Sequence, residues 1–167
     1  MAKEHPAGLH DPTSSPDFIE QVEASLRARF MAQAALAHDR YAPLSFAKIE
    51  ALLHDPECVR FPTRLVFALG GMAPHQFAQP EADPDDREGN GRILCLRPAL
   101  HDHPDLIVQA VAYLIPVINY GEIITDEHCL AYGAILLGCA EAEYYEAVCR
   151  LADAVNLVGR CCVAAPE

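Results

Sequence analysis

Residues 92–138 read RILCLRPALHDHPDLIVQAVAYLIPVINYGEIITDEHCLAYGAILLG, and the fold class turns on this stretch. Arg92 to Leu96 is a short apolar run with the character of a strand. After His103, Pro104 and Asp105 open a helix, since proline suits the first helical position and an acid suits the first turn. Leu106, Ile107, Ala110, Val111, Leu114 and Ile115 make that helix apolar on nearly every face, the mark of a buried one. Pro116 is expected to kink or end it, and Asn119-Tyr120-Gly121 closes the segment. Thr125, followed by Asp126 and Glu127, caps a further helix that ends near Gly138. Its Gly133 and Ala134 leave room for a neighbouring backbone.

Working outward, Ser15, Pro16 and Asp17 begin a helix in which Ile19, Val22, Leu26 and Phe30 recur three or four residues apart, to about Ala37. A shorter helix starts at Ser45, carries Phe46, Ile49 and Leu52 or Leu53, and stops at His54-Asp55-Pro56. Val59 to Leu69 (VRFPTRLVFAL) is rich in β-branched and aromatic residues, so it reads as a strand with Pro62 at an edge or bulge. Residues 72–91, with PEADPDDREGNG, read as a long solvated loop. From Ala140 to Arg160 a last helix spaces Tyr144, Val148, Leu151, Val155 and Val158. The expected class is α+β: a helix-rich single domain over 15–160 with a small, mainly antiparallel sheet. Residues 1–14 are expected to be a flexible tail and 161–167 a C-terminal tail.

Composition narrows the function. The 167 residues carry 12 Lys and Arg against 24 Asp and Glu, a formal charge of -12. Such a charge repels phosphate backbones and anionic lipid, so no nucleic acid and no membrane is expected as a partner. The apolar stretches near 106–118 and 129–139 fall short of the roughly 18–20 residues of a membrane span. Mean hydropathy is +0.07, high enough to point to apolar surface covered by a protein partner or by further copies in a homo-oligomer. Seven cysteines, an odd number with no Cys-x-x-Cys, do not form a disulfide framework, and no apolar leader precedes the first helix. A reducing cytoplasmic setting follows as the expectation.

Two polar groupings carry chemistry. His101-Asp102-His103-Pro104-Asp105 offers two imidazoles and carboxylates, and Glu127 and His128 open the next helix. His101, His103, Asp105, Glu127 and His128 would then form a metal set, with zinc the divalent ion that these ligand types suit. Its bland alternative is a pair of solvated histidines beside a capped helix. His54 and Cys58, four apart, are a second candidate pair for metal or nucleophilic chemistry; with no Cys-x-x-Cys partner, His-Asp-Pro as an ordinary helix stop is the leading reading. Adjacent Cys161 and Cys162 rarely bridge each other, so packing or adventitious oxidation is their expected role. Glycine-rich phosphate loops, Gly-x-Ser-x-Gly and His-Glu-x-x-His are missing from the sequence.

The order strand, proline-containing segment, buried helix, second helix over residues 92–138 resembles small zincin-type metallopeptidase domains. In that family, His-Glu-x-x-His on the buried helix binds zinc and activates water. Here Tyr113, Leu114 and Val117 stand at the positions that would have to match, and none binds zinc or acts as a base. The resemblance therefore implies a zincin-like scaffold without the family's chemistry. The leading expectation is a non-catalytic binding or assembly protein. The alternative is a metal-binding protein or metal-dependent hydrolase built on the cluster at 101–105 with 126–128.

Overall fold

A computed structural model describes residues 16–161; the expected tail over 1–14 and, beyond Cys161, that over 162–167 lie outside the described residues. The elements in chain order are α1 (Pro16–Tyr41), α2 (Phe46–Leu53), β1 (Thr63–Phe67), β2 (Ala78–Ala82), β3 (Arg92–Leu96), α3 (Pro104–Tyr120), α4 (Asp126–Leu137) and α5 (Glu141–Cys161). Short helical turns at Pro98–Leu100 and Gly121–Ile123 flank α3. The class is α+β, with five α-helices about a three-stranded sheet among the described residues.

The sheet runs in the order β1-β3-β2 and is mixed. β3 pairs with β1 in parallel, Leu65 opposite Leu94, and with β2 antiparallel, Pro80 opposite Leu94. The two strands legible in the sequence thus lie parallel, and the antiparallel pair comes from β2, which sequence reading places inside a loop. Its residues, AQPEA, contain no β-branched or aromatic side chain, so propensity carries no signal there. What makes it a strand is position, since β3 has Ile93 to Leu96 all buried and needs backbone partners on both sides. Pro80 is tolerated because β2 is an edge strand. The loop after β2 is tied down rather than loosely solvated. Asp83 accepts the Asp85 N–H at 3.0 Å, Asp86 accepts those of Glu88 and Gly91, and Arg64 grips both oxygens of Asp83 at 2.7 and 2.8 Å.

α3 is the central helix, with ten buried residues from Ile107 to Asn119. It does not end at Pro116 but continues a further turn to Tyr120, where Gly121 takes a φ of 68° that favours glycine. With the following turn it reaches 20 residues of span-like hydropathy, longer than the 106–118 stretch. Burial inside the fold accounts for that apolarity. α4 packs on α3 and on the second half of α1. Its Gly133 is needed for a side chain rather than a backbone, because a Cβ there would stand 2.1 Å from the Tyr144 ring of α5. Tyr144 then sends its hydroxyl to the Gln109 carbonyl of α3 at 2.8 Å, joining three helices. At the other end of α4, His38 of α1 donates through Nδ1 to the Leu136 carbonyl at 3.0 Å, beside Gly138 at φ 70°.

Candidate functional site

The five residues of the expected metal set occupy two separate places. His101, His103 and Asp105 are exposed around the start of α3. His101 pairs with Asp102 at 2.9 Å and rests edge-on against Phe67, and His103 makes no side-chain cap. Glu127 and His128 belong to the start of α4, which the Tyr113–Asp126 hydrogen bond of 2.7 Å holds against the middle of α3. From Tyr113 back to Pro104 runs about 14 Å of helix at 1.5 Å per residue, far beyond any shared coordination shell. His128 is also engaged, because its Nδ1 receives the Thr125 N–H at 3.2 Å and its ring meets Phe30 edge-on at 4.9 Å. Among the described residues no three His, Cys, Asp or Glu side chains are grouped to hold a metal ion.

The second expected pair is likewise apart. His54 bonds its own helix at the Glu50 carbonyl, 2.8 Å away, while Cys58 turns to Asp55. Burial, with Asp55 close by, pushes the Cys58 thiol up to about 11, so it is not a thiolate at neutral pH. Of the zincin-like positions, Leu114 is buried in the core and Tyr113 holds Asp126, its phenol raised by burial and by that carboxylate.

Two other features of the surface have a built character. The first is the leading half of α1. From Pro16 to Arg29 every residue is exposed except Leu26, which is half-buried. Ile19 and Val22 are each 51% exposed. With Leu26 they are spaced three and four apart, the interval of a helix-pairing seam. The same stripe continues into Phe30, Ala34 and Ala37, all fully buried. Glu20, Glu23 and Arg27 lie along one flank of it by helical spacing.

The second feature is a trough at the base of this arm. A cavity of about 700 Å³ opens between Arg29 and Gln33 of α1, the 56–60 segment, and Asn119-Tyr120 at the end of α3. A second, of about 620 Å³, shares Arg60, Asn119 and Tyr120 with it and extends over Phe61, Arg92, Val117 and Ile123. Asn119, 2% exposed, builds the wall between them. Its oxygen accepts the Arg60 N–H at 2.7 Å, and its amide donates to the Cys58 carbonyl at 3.1 Å and to Gln33 at 3.0 Å. Tyr120 adds a hydroxyl to the same Gln33 oxygen at 3.2 Å. Arg60 and Arg92 both lie over Phe61, 5.2 and 4.5 Å from its ring centre.

Sequence reading missed the trough. The signals were single arginines at 29, 60 and 92, far apart in the chain and alike in no local pattern. Only the packing of α1, α3 and the sheet places them together. No family model, no curated protein and no solved structure matches this chain.

Proposed function

We propose that this chain is a binding and assembly protein that pairs with a second copy of itself through the leading half of α1, in a reducing cytoplasmic setting. The observation that carries this reading is the exposed Ile19 and Val22, collinear with half-buried Leu26 and with residues that the same helix buries completely. About 21 Å of helix at 1.5 Å per residue is mostly exposed to solvent, and its apolar seam has the spacing that helix pairs use. The flanking charges favour a second copy as the occupant. In an antiparallel pair, Glu20 and Glu23 of one arm approach Arg27 of the other, twice over by two-fold symmetry. A parallel pair would set like charges side by side. The free, largely buried thiols of Cys58, Cys95 and Cys129 accord with a reducing compartment.

Sedimentation equilibrium tests the reading. The intact chain should show twice its 18.2 kDa mass at micromolar concentration, and Ile19→Glu/Val22→Glu should return it to monomer. A wild-type monomer at every soluble concentration overturns pairing with a second copy. A dimer that survives the double substitution moves the interface elsewhere.

A further inference from the structure

The arginine trough carries a ligand reading of its own, separate from pairing through the arm. In a chain of charge -12, most cations would be expected to meet an acid. Arg40 does so with Asp55 and Glu57, and Arg64 with Asp83 and Asp85. Arg29, Arg60 and Arg92 have no carboxylate within ion-pair distance among the described residues; Arg60 and Arg92 line the second cavity, and Arg29 lines the first, which shares Arg60 with it. The acids that share its walls are mostly committed. Glu57 is held by Arg40, and Glu81 accepts the Gly71 N–H at 3.1 Å. In the second cavity Glu81 and Glu122 face Arg60 and Arg92, and among the described residues neither acid comes within ion-pair distance of either guanidinium.

The floor beside these cations is apolar: Phe61, Val117 and Ile123, the last 62% exposed. The Arg92 guanidinium is steadied by the Gly91 carbonyl at 3.0 Å, while Asn119 fixes the Arg60 backbone through its N–H at 2.7 Å. Both guanidiniums lie against Phe61, 5.2 and 4.5 Å from its ring centre, with donors left over, the state in which arginine takes an oxyanion in a fork of two hydrogen bonds. The volumes match those of small-molecule sites, where a mostly apolar lining is combined with a few placed polar groups.

We infer that the trough binds a small organic oxyanion, its carboxylate or phosphate head on Arg60 and Arg92 and its apolar body on Phe61, Val117 and Ile123. Anilinonaphthalene sulfonate, which joins an anionic head to an aromatic body, is the probe. Its neutral relative phenylnaphthylamine has a similar body and no charge. Fluorescence titration of the intact chain should give saturable one-to-one binding of the sulfonate. Arg60→Ala/Arg92→Ala should weaken it at least about tenfold, the loss expected for charge-assisted contacts. Arg60→Lys/Arg92→Lys should retain most of it, and the neutral probe should bind correspondingly weakly to the wild type. Should the alanine pair fail to fold, Arg60→Gln alone carries the same comparison.

Competition by benzoate or by inorganic phosphate then tells which head is preferred. Equal sulfonate affinity in the alanine variant overturns the inference, because binding at the arm's apolar stripe would survive that change. Equal affinity of the neutral probe, no saturable binding, or competition by neither anion overturns it as well.

Discussion

The two halves of α1 belong to one helix with one apolar period, but they end in different environments. Phe30, Ala34 and Ala37 are fully buried against α4, while Ile19 and Val22, on the same stripe, are half exposed. Nothing in the side chains separates them. The difference is that α4, only 12 residues long, covers one half and stops. An apolar stripe therefore states that a surface is to be covered, and the neighbouring element decides whether the same chain does the covering.

Substitution on the two halves should break that likeness most visibly. Phe30→Ala removes a fully buried ring that also rests on His128, and should cost about 3–5 kcal/mol of unfolding free energy in denaturant titration. A loss under about 1 kcal/mol would mean that the α1–α4 contact is looser than its burial indicates. Asn119 gives the next largest effect. Asn119→Leu leaves the Arg60 N–H and the Cys58 carbonyl without their partner, and should cost about 1–3 kcal/mol. Unlike Phe30→Ala, it should also loosen the trough, seen as faster amide exchange at Arg60.

The Arg64–Asp83 pair sharpens the contrast on the polar side, since it is held by geometry at the surface. The Arg64 guanidinium, helped by the Asp85 N–H, brings the Asp83 carboxyl down to about 2. A depressed carboxyl contributes stability that is present above its ordinary value near 3.8 and is lost as pH falls toward 2. The melting temperature should therefore fall across that window in the wild type, with a shallower slope in Asp83→Asn. Equal slopes would mean that the pair contributes nothing. The smallest effect is expected on the arm. Ile19→Ala should change monomer stability by no more than about 0.5 kcal/mol, while weakening self-association. A larger loss would show that the arm is covered within its own chain.

Helix positions were largely legible because they depend on local chemistry. Pro104 at the first turn, Gly121 at φ 68° and Gly138 at φ 70° act within a few residues of themselves. Asn119-Tyr120-Gly121 marks the end of α3 in sequence and in space, while Pro116 lies inside the helix. Sequence signals failed where the cause is remote. β2 has no strand-like residue and exists because β3 needs a second partner. His101 and His103 are near His128 in sequence but not in space. A 17-residue helix separates them, and the local density of ligand-type residues does not register its length.

The sequence alone determined the α+β class, the five helices seen among the described residues, the Thr125 cap of α4 and the net negative charge. These follow from periodicity, capping and charge, which act at short range or in sum. Tertiary structure alone decided that β1 and β3 run parallel, that the leading half of α1 is mostly exposed, and that Arg60 joins Arg29 in one cavity and Arg92 in the next. Each of these depends on which distant surfaces meet, and side-chain pattern along the chain does not encode the meeting until the core has packed.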